Sequence, residues 1–211
     1  MGGISSRAMG SSRVPFPMRG LRGSRITPHD QYSSSIGVLG CYIDTNRVAY
    51  FPFAPGCNNL CVHIWSEQAD LYLLHVDQSG GAFDISYDAW NFLNVGESAI
   101  TRPSTGGGIS VGYKFVDMAH CASLVQTPDG KLPLMAANSM NYYTACMEMG
   151  ISEKSTLYNI QDASCTLGYN EICFLDLLVS NQPSCPHILG SQEPLEGLQV
   201  KNIVYGSSCT A

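Results

Sequence analysis

Charge is what this 211-residue chain has least of: Asp, Glu, Lys and Arg together make up 13% of it. Bases are the scarcer sign, eleven against seventeen acids for a net of −6, so there is no general basic face to neutralise phosphates, and nucleic acid is excluded as a partner. No apolar run approaches the ~18 residues that a membrane-spanning helix needs. No Asn-x-Ser/Thr triplet occurs, so no N-glycan is expected. The chain also lacks a Gly-x-Ser-x-Gly elbow and any Walker or dinucleotide glycine pattern; the glycines at 106–108 are loop material without a following helix. The CNNLC spacing at 57–61 has no second matching pair, so neither a zinc centre nor another metal or cofactor is expected. What the chain does have is 45% hydrophobic residues, enough for a globular core and too many for general disorder.

The few charges are unevenly placed. Residues 1–36 hold Arg7, Arg13, Arg19, Arg22 and Arg25 against Asp30 alone, a net of +4; the remainder carries a net of −10. Cysteine divides the chain in the same way. All nine cysteines lie at 41 or beyond. Eight of them (Cys41, Cys57, Cys61, Cys121, Cys146, Cys165, Cys173 and Cys185) read as four disulfides, with Cys209 the odd thiol. Each bridge contributes on the order of 2–4 kcal/mol by restricting the unfolded chain. The easiest local pairing is Cys165 with Cys173, and the remaining connectivity is open. Disulfides imply an oxidising compartment, hence a secreted, extracellular protein. The first 36 residues have no apolar h-region, which implies that any signal has been removed, and MGGISSRAMGSS reads like an appended leader.

Residues 1–35, rich in Ser, Gly, Arg and Pro, are expected to be a flexible basic tail or leader, with one domain over 36–211 starting near Ile36. RVAYFPF (47–53) and LCVHIW (60–65) read as short strands separated by the Pro-Gly turn at 55–56, and LYLLHV (71–76) as a strand covered on both faces. Gly80 and Gly81 break it. A short helix then opens at Asp84, with Asp84 or Ser86 capping it and Ile85, Ala89, Trp90, Phe92 and Leu93 on its apolar face. Residues 98–108 form a loop and GISVGYKFV (108–116) a strand. Short strands, tight turns and one small helix up to Cys121 describe a compact β-barrel. From about 122 the chain reads as an extension tied to it by disulfides, with a helix over 136–149, a buried strand over 172–180 and a final strand over 198–205.

LHVDQSGGAFDISYDAWNFL (74–93) is the candidate site. Its turn brings Asp77 and Asp84 together beside a groove, and glycoside hydrolysis uses two carboxyls roughly 5–10 Å apart. The same residues also serve a turn: Asp77 accepts backbone N–H groups and Asp84 caps the helix. Tyr50 and Tyr87 are the surface aromatics expected along the groove, with His75 nearby, whereas Trp90 belongs to the core. For a protein partner, the exposed loops 52–59 and 98–108 offer Phe53, Pro55, Asn58, Arg102 and Thr105. His120-Cys121 and Cys185-Pro186-His187 do not make a nucleophile, because a disulfide-bonded cysteine has no thiolate.

The segment Val76-Asp77-Gln78-Ser79 followed by Gly81-Ala82-Phe83-Asp84-Ile85-Ser86 resembles the central segment of barwin-like proteins, and GGISVGY before Cys121 is similar to their last barrel strand. Ala82-Phe83-Asp84-Ile85 is similar to the His-Phe-Asp-Leu motif of expansins and family-45 glycoside hydrolases, whose Asp is the acid; the resemblance gives that position to Asp84. It implies a mainly β fold, a six-stranded double-psi β-barrel with short helices, over roughly residues 36–121. The hydrolases' base follows a Tyr-Trp pair on the first strand, where this chain has Ala49-Tyr50-Phe51-Pro52, with Pro52 in the base's place. Ser79 stands where barwin has a cysteine, so barwin's disulfide pattern does not carry over. CYIDTNRVAYFP, DQSGGAFDISYDAWNFL and SNQPSCPH together resemble a group of small secreted proteins of filamentous fungi. Some of that group are plant-pathogen effectors, with inhibition of host papain-like cysteine proteases among their proposed activities.

These readings converge on a secreted, non-catalytic protein of the apoplast. It binds, and as an effector-type molecule inhibits, an extracellular host protein such as a papain-like cysteine protease. The alternative is expansin- or barwin-like binding or loosening of cell-wall polysaccharide centred on Asp84, and a weaker one is a glycoside hydrolase using Asp77 and Asp84.

Overall fold

The computed structural model describes residues 23–210. Six short strands close a barrel: β1 (Gly23–His29), β2 (Val48–Phe51), β3 (Cys61–Trp65), β4 (Asp70–Gln78), β5 (Phe83–Ser86) and, after the helix α1 (Tyr87–Val95), β6 (Ile109–Val116). They neighbour one another in the order β1-β5-β2-β4-β3-β6, and β6 returns antiparallel to β1. The pairs β1/β5 and β2/β4 are parallel and the others antiparallel, giving a mainly β, double-psi barrel. Alternation along each strand sends Ile26, Ala49, Phe51, Val62, Ile64, Leu73 and Ile85 inward, where α1 adds Ala89, Trp90 and Leu93 to the same core.

The opposite faces of β2 and β4 are buried as well. Val48, Tyr50, Leu74 and Val76 point outward into a second apolar layer supplied by the C-terminal part. That double burial explains why LYLLHV has no polar alternation. The second layer is a sheet of β7 (Leu132–Met135), then, after α2 (Met140–Ala145) and α3 (Ile151–Lys154), β8 (Ser155–Ile160) and β9 (Gly168–Cys173), in the order β7-β8-β9. Cys57–Cys146 and Cys41–Cys165 join the two parts of the chain, spanning 89 and 124 residues. Cys61–Cys121 ties β3 to the turn after β6, Cys173–Cys185 closes a local loop, and Cys209 is the free thiol.

Several expectations are corrected. The barrel begins well before Ile36: β1 contributes Ile26 to the core, and the Arg25 guanidinium donates to the Gly108 carbonyl at 2.7 Å. Composition hid this strand because its register partners, Phe83 to Ser86 and Ile109 to Gly112, are remote in sequence. The rest of the expected tail, residues 1–22, lies outside the described residues. Asp84 sits in β5 and does not cap a helix. α1 starts at Tyr87, and Ser86, at its N-cap, spends its hydroxyl on Thr45 O and Val48 N. The helix expected over 136–149 shrinks to α2 and a 3-10 turn over Met147–Met149, although Cys146 is buried as expected. β9 ends at Cys173, so 174–180 is an exposed turn rather than a buried strand, and 198–205 makes only an isolated bridge between Ile203 and Thr210. Cys165 and Cys173 do not pair with each other; β9 carries Cys173 to Cys185 while Cys165 reaches Cys41.

Candidate functional site

Register decides how the two candidate carboxylates meet. Tyr50 on β2 pairs with Asp84 on β5 at one side and with Asp77 on β4 at the other. Asp77 and Asp84 therefore flank Tyr50 two strand spacings apart, about 9–10 Å between backbones. Thr27 lies opposite Asp84 on β1, so Thr27, Asp84, Tyr50 and Asp77 form one row across four strands. Both acids are half-buried and occupied. The Thr27 hydroxyl donates to Asp84 Oδ1, the Ser33 hydroxyl donates to Asp77 Oδ2, and Gln78 N donates to Asp77 Oδ1 at 2.8 Å. A glycosidase needs one of its carboxyls to donate a proton. Here each carboxyl is hydrogen-bonded to a neighbouring hydroxyl, and the residue between them is a phenol.

The expected groove aromatics are inside the protein. Tyr50 is 4% exposed, its ring centroid 4.6 Å from that of His29. Burial pushes its phenol well above the ordinary tyrosine range and the Asp77 charge adds to the rise, so it stays neutral. Tyr87 is buried and donates its hydroxyl to the Ser104 carbonyl at 2.7 Å. His75 is 0% exposed and lies in the barrel, not beside the groove, with ring centroids 5.2 Å from Phe51, 5.3 Å from Phe53 and 5.8 Å from Phe115. Its Nδ1 is 3.3 Å from Asn59 O, its Nε2 has no partner, and burial lowers its pKa. A strand position facing the barrel interior puts it among phenylalanines, where the charged form is disfavoured. Trp90 is in the core, as expected.

The candidate contact loops divide. Phe53 is half-buried against the barrel core and Pro55 is buried rather than exposed as expected, while Asn58, Arg102 and Thr105 are exposed. The loop carrying Arg102 and Thr105 is held from beneath by two buried residues of α1. Asp88 pairs with Arg47 at 2.6 Å and accepts from the Ser98 hydroxyl and Ala99 N, each at 2.6 Å. Asn91 donates to the Glu97 and Arg102 carbonyls at 2.8 and 2.9 Å and accepts from Ser104 N at 2.8 Å. Sequence reasoning missed both. An acid and an amide on the face of a helix taken as apolar were the available signal.

Two clefts open elsewhere. One, of about 700 Å³, is lined by Asp44, Asn46, Gln126 and Lys201; the other, of about 600 Å³, by Leu60, Met118, Asp129 and Lys131. Neither includes Asp77 or Asp84. Among the described residues no three His, Cys, Asp or Glu side chains converge as a metal site, and no helix is long and apolar enough to cross a membrane. His120 stacks on Tyr72 at 5.2 Å beside the bonded Cys121, and His187 stacks on Tyr169 at 4.0 Å.

No family model and no curated protein matches the sequence. Among solved structures, cerato-platanin 3 and cerato-platanin 2 from M. perniciosa each align at 16% identity over 47% of this chain and 98% of theirs, with TM-scores of 0.35 and 0.34. Likeness at that level carries no functional argument, and the barrel assignment rests on the strand order and register described above.

Proposed function

We propose that this is a secreted, non-catalytic binding protein of the effector type, acting on an extracellular host protein in the plant apoplast. The observation that carries the reading is the pinned loop over residues 97–106. Asp88 and Asn91 hold it in one shape while Arg102 and Thr105 stay exposed, so little ordering entropy is lost when a partner docks. Four disulfides support the extracellular assignment, because such bridges persist in oxidising compartments. Both carboxylates of the central segment accept hydrogen bonds from hydroxyls, which favours a structural role for them over turnover.

A papain-like cysteine protease is the first partner to test. Inhibition should appear as lost peptidase activity on titration with this protein, and an unchanged rate at micromolar concentration would remove that partner. A pull-down from plant apoplastic fluid then asks whether another extracellular protein takes its place.

A second reading has its own observation. Thr27 and Asp84 on one side of the buried Tyr50, and Asp77 and Ser33 on the other, are half-buried polar side chains of the kind that meet sugar hydroxyls. On this reading the protein binds cell-wall polysaccharide, and Asp84→Asn weakens its retention on insoluble wall glucan. Retention unchanged in that variant would place any wall binding elsewhere.

A further inference from the structure

The turn over 174–180 carries the two most exposed large apolar side chains among the described residues. Leu178 is 97% exposed, Val179 83% and Phe174 71%, and at the two roots of the loop Ile172 and Ile188 are exposed as well. Apolar side chains scattered singly on a surface need no explanation, but a cluster held outward does.

This cluster is held. Cys173–Cys185 closes the loop at its base, and Phe174 and Ser184 exchange backbone hydrogen bonds at 2.8 and 2.7 Å. Asp176 organises the tip: its Oδ1 accepts Leu178 N at 2.9 Å, and its carbonyl accepts Val179 N at 3.0 Å and Ser180 N at 2.9 Å. Below the disulfide, Glu171 accepts His187 N at 2.8 Å and its other oxygen lies 2.7 Å from His187 Nδ1. A slack loop would fold these side chains back onto the sheet. A clamped one keeps them in water until something else covers them.

The charge of the flanking sequence bears on what covers them. Between Lys154 and Lys201 there is no lysine or arginine, while Asp162, Glu171, Asp176, Glu193 and Glu196 all fall in that stretch. An anionic bilayer surface would repel such a segment, since membrane-surface elements carry their apolar residues with cations. A second copy would bring the same acids face to face. A convex apolar knob in an acidic setting fits a concave apolar site with a basic rim.

We propose that the 174–180 loop is a second docking element of this protein, beside the loop over 97–106, and inserts Phe174, Leu178 and Val179 into an apolar cleft, rimmed by Lys or Arg, on an extracellular protein. The assignment rests on the binding reading above and adds an apolar contact surface to it. The test places a photo-crosslinking phenylalanine analogue at position 178 or, in a second variant, at position 102, and exposes each full-length protein to plant apoplastic fluid. The expected result is a discrete protein adduct at 178 that excess unmodified protein competes away and the Leu178→Asp variant does not. The captured protein, once purified, should bind the unmodified chain at least about thirtyfold more tightly than Leu178→Asp, as for a hot-spot side chain, and should lose affinity as salt is raised. A competable adduct at 102 alone overturns the loop assignment and leaves the binding reading standing. No adduct at either position overturns both. Co-sedimentation with phosphatidylcholine/phosphatidylserine vesicles that Leu178→Asp abolishes, or a concentration-dependent dimer that it abolishes, overturns the protein-cleft partner in favour of a membrane or a second copy.

Discussion

The barrel and the C-terminal part keep their shapes by different means. In the barrel, strands from distant parts of the chain enclose one core, and its inner polar residues are used to brace loops, as Asp88 and Asn91 do. In the C-terminal part a three-stranded sheet covers the barrel on one side, cross-links tie it down, and beyond β9 apolar residues face solvent. The contrast teaches that apolar content alone does not tell core from contact surface. Phe51 and Phe174 are the same residue type in similar apolar runs, and one is buried while the other is exposed.

The comparison can be broken most forcefully at a cross-link between the parts. Replacing Cys41 and Cys165 together by Ser releases the bridge between the parts outside Cys57–Cys146, and with that second bridge intact it should cost about 3–4 kcal/mol in urea unfolding. A loss under about 1 kcal/mol would mean that apolar packing and the remaining Cys57–Cys146 bridge hold the parts together. Next comes Asp88→Ala, which leaves Arg47 without its partner and removes two anchors of the loop over 97–106. Breaking a buried pair costs 3–5 kcal/mol, and because Arg47 is partly exposed the expectation here is about 2–3 kcal/mol. Faster proteolysis within that loop should accompany it, and unchanged protection there would show that the loop does not depend on α1.

His75 sharpens the comparison through pH. Its ordinary value is 6.5 and burial lowers it in the folded barrel, so the unfolded chain takes up the proton first as pH falls. Its contribution to stability is complete above about pH 6.5 and is lost as pH drops from there towards the lowered folded value. His75→Phe, placed among Phe51, Phe53 and Phe115, should flatten that part of the stability profile relative to the parent. Parallel profiles for the two proteins would place the pH dependence in other groups. The smallest effect belongs to Leu178→Ser, which should change stability by no more than about 0.5 kcal/mol because the side chain touches mainly water. A larger loss would mean that the tip packs against the body in solution.

How much could be read in advance follows from where each segment's partners lie. β2, β3, β4 and β6 showed as apolar runs bounded by Gly, Pro or polar turns, and the strand doubly covered in the fold was recognisable because its run never alternates. β1 was not legible, since Ile26 is the only fully buried residue of GSRITPH and the strand owes its existence to neighbours 57 and 83 residues away. β7 and β8 were missed for a related reason: Leu132 to Met135 becomes a strand by pairing in parallel with Ser155 to Tyr158. At the candidate site the two acids were identified, and their flanking relation to Tyr50 was not, because β2, which comes earlier in the chain, inserts between β4 and β5. Tyr50, Tyr87 and His75 were expected at a surface, and layers contributed by other segments enclosed them.

By itself the sequence determined the inventory: a globular acidic chain, eight cysteines that bridge and one that does not, short strands, and the glycine turn that reverses the chain between β4 and β5. These follow from composition and local backbone preference, which act within a few residues. Tertiary structure alone decided the disulfide partners, the sixth strand that closes the barrel, the hydroxyls that occupy Asp77 and Asp84, and the exposure of Leu178. Each of those depends on which distant segment lies opposite, and burial and hydrogen bonding are properties of neighbours in space.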